Sequence, residues 1–241
     1  MASPDGLKTV ENCAACRAAA TQHFCALGED ALRQLDGIKF ALAYAKGARI
    51  FVEGQEARGV YLLCAGRVKL STSSGDARVL ITQIVEPGEM LGLGAALSGE
   101  PYEVTAETLE PSEITFVRRA QFLRLLSENR DAALRAARQM SRNYRAAFEQ
   151  VRLLGLSQTA AAKLARFLLA EARAHEGHEN GAGCSRMKLT LTHEEIGQRI
   201  GASRETVTRI FSEFKQERII QVKGSTLLVH DRAALEVLIS Y

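Results

Sequence analysis

Three cysteines, Cys13, Cys16 and Cys25, fall within thirteen residues near the start of the chain, while Cys64 and Cys184 stand alone. Thiolates are the usual ligands of zinc and of iron–sulfur clusters, normally four to a site. In a reducing compartment, where disulfides do not persist, such a cluster points to metal or redox chemistry. The total of five is odd, which excludes complete pairing within the chain. Cys64 from a distant segment, or His23 from the cluster itself, would complete a ligand set. The spacing does not separate zinc from iron–sulfur. A simple thiol switch, or buried cysteines with no cofactor, would also account for these residues.

A second constellation lies near the other end of the chain. Thr192-His193-Glu194-Glu195 is a capping box, a hydroxyl and a carboxylate three residues apart that satisfy the free amides of a helix start. The helix it opens passes through Ile196 and Ile200 and stops at Gly201. Ser203 then caps a second helix, from Arg204 to about Gln216, with Val207, Ile210, Phe211 and Phe214 on its inner face. Arg204, Glu205 and Arg209 project together from one end of that helix. An arginine fork matches the two acceptors on guanine, and a carboxylate accepts from the cytosine amino group. Two short helices around a glycine turn, the second carrying such a set, fit a helix-turn-helix.

The rest of the chain must position these two groups. Its 241 residues, 46% hydrophobic and 24% charged, suit one or two globular domains and exclude disorder and rod-like coiled coil. The net charge of +3 leans mildly towards polyanions. No apolar run approaches a membrane span, and the N-terminus lacks the order of a secretory signal, so a soluble cytoplasmic protein is expected. A helix is expected from Gly28 to Leu35. From about Lys39 to Val117 the apolar period falls towards two. Val60–Cys64, Arg67–Ser71 and Arg78–Ile84 read as short strands between regularly placed glycines, as in a small barrel or roll. Beyond Arg118 the period lengthens again. Ala137, Met140, Tyr144, Ala147, Val151 and Leu154 alternate steps of three and four, the seam of a two-fold helix pair. Glu176 to Ser185 reads as a loop. No phosphate-cradling glycine loop, nucleophile elbow or convincing carboxylate pair is present, so an enzyme is not expected.

The run from Leu191 to Arg209 resembles the DNA-binding motif of the Crp–Fnr regulators, and Val222–Val229 resembles that family's wing hairpin. Gly47–Gly54 and Gly59–Lys69 are similar to its β-roll, so the resemblance covers nearly the whole chain in order. It implies an α+β protein: an N-terminal β-roll of the double-stranded β-helix or jelly-roll type, a long dimerisation helix and a C-terminal winged helix-turn-helix. On this division residues 1–38 are a cysteine-bearing segment and helix, 39–118 the sensor, 119–155 the dimerisation helix and 156–241 the DNA-binding domain.

The resemblance further implies a homodimeric transcriptional regulator that binds double-stranded DNA at a palindromic operator and works with RNA polymerase. Arg204, Glu205 and Arg209 match the family's base-reading positions, and the presence of Arg204 places the chain with the branch that reads TGTGA-like half-sites. Thr192, His193, Ser203, Thr206, Lys223 and Ser225 match phosphate-holding positions, although Thr192 and Ser203 are equally placed to act as caps alone. In the sensor, Leu93 stands where the family's nucleotide-binding members carry a ribose-binding glutamate. Tyr102 and Glu103 stand in place of the phosphate-binding arginine and hydroxyl. A carboxylate there repels phosphate, so cyclic AMP is not expected. Cys13, Cys16 and Cys25 resemble the N-terminal cluster of the oxygen-sensing Fnr branch, with a longer gap after Cys16. The resemblance thus implies an iron–sulfur cluster, with Cys64 preferred as fourth ligand. The rival class is a cysteine-cluster electron-transfer protein without regulatory DNA binding, which would leave the winged helix without a purpose.

Overall fold

The computed structural model describes residues 13, 24–76, 78–156, 159–174 and 185–240. It divides into two compact units, Met1–Ala147 and Phe148–Tyr241. The first opens with helix α1 (Glu29–Ile38), whose Leu32 and Leu35 face inward. Eight strands follow: β1 (Lys39–Tyr44), β2 (Arg49–Phe51), β3 (Gly59–Ala65), β4 (Val68–Ser73), β5 (Val79–Val85), β6 (Met90–Leu91), β7 (Thr105–Thr108) and β8 (Ser112–Arg118). A short helix α2 (Leu93–Ser98) lies between β6 and β7. The strands form two four-stranded antiparallel sheets, in the orders β1-β8-β3-β6 and β2-β7-β4-β5.

Strand β3 shows why its sequence is almost continuously apolar. Successive side chains of a strand point to opposite faces. Tyr61 and Leu63 therefore enter the interior of the roll, with Phe51, Val68, Leu91, Tyr102 and Ile114. Val60 and Leu62 face the other way, into a second cluster with Phe24, Leu35 and Phe122. Burying a side chain such as Phe122 contributes about 1.5–3 kcal/mol. The register between β3 and β8 shifts between Leu63 and Ala65, a bulge that falls at Cys64.

The stretch expected as one helix over 119–155 is two: α3 (Arg119–Glu128) and α4 (Arg130–Leu156). Asn129 separates them in an extended conformation, φ −130° and ψ 106°. Its backbone N–H donates to Leu125 O, closing α3, and its side-chain Oδ1 accepts from Ala132 N, opening α4. Asparagine competes for backbone groups in this way without being a strong helix breaker.

The second unit holds helices α5 (Ala160–Ala174), α6 (His193–Ile200), α7 (Arg204–Gln216) and α8 (Arg232–Ser240). Its sheet has the order β10-β11-β9, from β9 (Ser185–Lys188), β10 (Ile220–Lys223) and β11 (Thr226–Val229). One apolar core joins Leu164 and Leu168 of α5, Ile196 and Ile200 of α6, and Val207, Ile210 and Phe211 of α7 to Leu227 of the sheet. Among the described residues no helix is long and apolar enough to cross a membrane.

Candidate nucleic-acid interface

Helix α6 starts as its sequence dictates. Thr192 Oγ1 accepts from Glu195 N at 3.2 Å, and Glu195 Oε2 accepts from Thr192 N at 2.7 Å. Gly201 ends it in the left-handed region, φ +67°, where a side chain is strained. Gly197 serves a different need: a Cβ there would lie 2.6 Å from Ala202 O, so only glycine lets the turn fold back against α6. Ser203 then caps α7, its Oγ accepting from Thr206 N at 3.2 Å.

On α7, Val207, Ile210, Phe211 and Phe214 are buried, at the three-four spacing of one helical stripe. Arg204, Glu205, Thr208, Arg209, Ser212 and Lys215 are exposed. Arg209 is paired with Glu213 one turn on. The Glu205 carboxyl is held below the usual carboxylate range, first by its own backbone amide, then by the Ser203 hydroxyl, with Arg204 adding to the effect. These charged and hydroxyl groups stand on the outer face of a helix whose inner face is anchored.

The predicted phosphate-holding residues occupy three places. Thr192 and Ser203 are engaged as caps, and Thr206 Oγ1 lies 3.1 Å from Ser203 Oγ. Lys223 and Ser225 flank Gly224 at the exposed turn between β10 and β11. His193 stacks on Phe211, with ring centroids 4.7 Å apart, and its Nδ1 lies 2.9 Å from Thr208 Oγ1. Thr208, exposed on the same face, was not among the residues singled out from the sequence. Its place one turn after Arg204 on the same face was the available signal.

In the sensor unit the chemistry-bearing residues are mostly inside. Tyr102 is 2% exposed, stacks on Phe51 at 4.0 Å and donates its hydroxyl to Gly59 O at 2.8 Å. A Cβ on Gly92 would lie 2.5 Å from the Tyr102 ring, so the glycine makes room for it. Leu93 is buried too, while Glu103 is exposed and lies over Gly94.

Cys13 and Cys25 are buried in one apolar cluster, which also contains Ala132 and Ala136 of α4. Lys39 Nζ donates to Cys13 Sγ at 3.3 Å and is paired with Asp36 at 2.6 Å, and Cys13 N donates to Asp36 Oδ1 at 3.0 Å. Burial, reinforced by Asp36 and opposed by Lys39, pushes the Cys13 thiol up to about 12. Cys64 Sγ lies 3.7 Å from Leu62 O and 3.5 Å from Thr115 Oγ1. Cys16, His23, His175, His178 and Cys184 lie outside the described residues. Among the described residues no three histidine, cysteine or acidic side chains form a group fit to hold a metal ion, so they do not by themselves make a ligand set.

Comparison with known proteins agrees with this architecture. Residues 41–129 match the cyclic nucleotide-binding domain, and residues 162–238 match the Crp-like helix-turn-helix domain. The cAMP-activated global transcriptional regulator CRP of Salmonella typhimurium is 25% identical over 78% of this chain and 88% of its own. The transcriptional activator protein FnrA of Stutzerimonas stutzeri is 28% identical over 83% of this chain and 80% of its own. The structure of FixK2 from Bradyrhizobium japonicum superposes with a TM-score of 0.70 at 25% identity, covering 83% of this chain and 97% of that one. With both domains matched in order and relatives of both branches aligned across most of its length, the chain belongs to the Crp–Fnr family of DNA-binding transcriptional regulators.

Proposed function

We propose that this regulator binds a palindromic operator with TGTGA-like half-sites, reading bases through Arg204, Glu205 and Arg209. The observation that carries this reading is the two-sided α7, with four buried apolar residues beneath an exposed row of hydrogen-bonding groups. Thr192, His193, Ser203, Thr206, Lys223 and Ser225 lie along the phosphates and set the register. Two copies act together through α4, where Ala137, Tyr144, Ala147 and Val151 of the seam are exposed and Phe148 lies beside them. An exposed apolar stripe on a helix suits a second helix better than water. RNA polymerase is the partner of the assembled complex. Operator titration with Arg209→Ala tests the assignment: a loss of about 1–3 kcal/mol with relaxed preference at one guanine is expected. Equal loss on every sequence would make Arg209 a phosphate contact instead.

The signal enters through the N-terminal cysteines Cys13, Cys16 and Cys25, with Cys64 preferred as a fourth ligand over His23. This reading is favoured by the burial of Cys13 and Cys25 in the same apolar cluster as Ala132 and Ala136 of α4. It is also favoured by the FnrA relative. The cyclic AMP of the CRP relative is not carried over, because Leu93 and Tyr102 are core residues and Glu103 is an anion. Iron and sulfide analysis of anaerobically purified protein tests the cysteines. Absence of both removes the cluster, and alkylation before and after oxidation then separates a thiol switch from a plain regulator.

A further inference from the structure

We propose that His193 makes operator binding take up a proton, because its ring engages the DNA backbone only as the imidazolium. The inference rests on the reading above that this face of the second unit lies on DNA.

The argument starts from one hydroxyl proton. Thr208 Oγ1 donates to Arg204 O at 2.9 Å, the back-bond that threonine commonly makes within a helix. A hydroxyl has a single proton. Toward His193 Nδ1, 2.9 Å away, the same oxygen therefore acts as acceptor, and Nδ1 carries the hydrogen. In the neutral ring the other nitrogen, Nε2, is then a bare lone pair. A lone pair turned to a phosphate oxygen is repelled. Protonation converts it to an N–H donor on a cation and gives a charge-assisted bond.

The surroundings keep the free ring neutral. The face of His193 lies against Phe211, and the charged groups facing it from α7 are Lys215 and Arg204, both cations. On its own helix the neighbours are Glu194 and Glu195, and Glu195 is tied to Thr192. Burial first, then Lys215 and Arg204, hold the imidazole below its ordinary 6.5. A phosphate beside Nε2 acts the other way and raises it in the complex. Affinity is therefore highest below the free-state value, falls as pH rises through the window between the free and bound values, and levels off above it.

The test is fluorescence-anisotropy titration of a labelled duplex with two TGTGA-like half-sites, using the full chain at constant salt from about pH 5.5 to about pH 8. For wild type, affinity should fall with pH, with a steepest slope approaching about tenfold per unit for each half-site, the limit for one proton. His193→Gln should bind weakly with that slope abolished, and His193→Arg tightly with it abolished. Circular dichroism melts show whether both variants fold. A flat wild-type profile overturns the inference, since it means that Thr208 gives its proton to Nδ1 and Nε2–H donates without titration. A slope that survives in His193→Gln overturns it as well. No binding by any of the three proteins at any pH removes the DNA-face reading itself, an outcome distinct from tight but pH-independent binding.

Discussion

The winged unit keeps its hydrogen-bonding side chains outside a buried stripe: Arg204, Glu205, Thr208 and Arg209 are exposed while Val207, Ile210 and Phe211 hold the helix down. The roll does the opposite: Tyr102 is part of its interior core, and Leu93 is buried in the second apolar cluster. Polar groups are cheap to leave in water and costly to bury unpaired, so a surface that must meet charged phosphates is built from groups already solvated. A ligand pocket is a vacancy in a core, and apolar or aromatic replacements close it by packing. The exposed face of α7 and the filled interior of the roll therefore follow opposite rules.

The largest effect should come from the interior of the roll. Tyr102→Ala removes a stacked ring and its bond to Gly59 O, and should destabilise the sensor unit by about 3–5 kcal/mol, as large-to-small aromatic changes in cores do. Urea unfolding followed by circular dichroism measures it. A loss below about 1 kcal/mol would mean that the ring is not a packed core residue, and the contrast between the units would fail.

A middle-sized effect separates capping from phosphate contact at Ser203. Ser203→Ala should cost about 0.5–2 kcal/mol of winged-unit stability, and Ser203→Asp should restore it, since aspartate caps as well as serine. If Ser203 also lies against a phosphate, the Asp variant will be stable yet bind operator more weakly than wild type. If it binds equally well, the hydroxyl is a cap alone.

What could be read in advance divides along the same line. The helix-turn-helix was legible because its signals are local: the Thr192–Glu195 box, the stop at Gly201, the Ser203 cap and the apolar period of α7. Strand β9 was not, because Ser185–Lys188 follows a glycine-rich sequence and becomes a strand by pairing with β11, Met187 opposite Leu227. The break at Asn129 was hidden because its cause is a side chain bonding its own neighbours. Tyr102 and Glu103 were read as departures from a nucleotide site, but only packing shows that one is buried and the other exposed. The bond from Lys39 to Cys13 crosses 26 positions and leaves no trace in local pattern.

The smallest effect concerns a polar residue that breaks the roll's own rule. Glu113 sits in β8 between Ala43 of β1 and Ala65 of β3 and is 7% exposed, and burial alone raises its carboxyl above the ordinary 4.5. A raised carboxyl favours the folded state only while protonated. Its contribution is complete below the ordinary value and is lost as pH rises through the folded one, so at neutral pH the ionised group opposes folding. Glu113→Gln should therefore unfold at higher urea than wild type at neutral pH, and the difference should shrink to nothing as pH falls below the ordinary carboxylate range. A variant less stable than wild type at neutral pH would show that the carboxylate is compensated by a cation. Glu113 would then belong with the solvated, partnered groups of the winged unit, and the line drawn between the two regions would have to move.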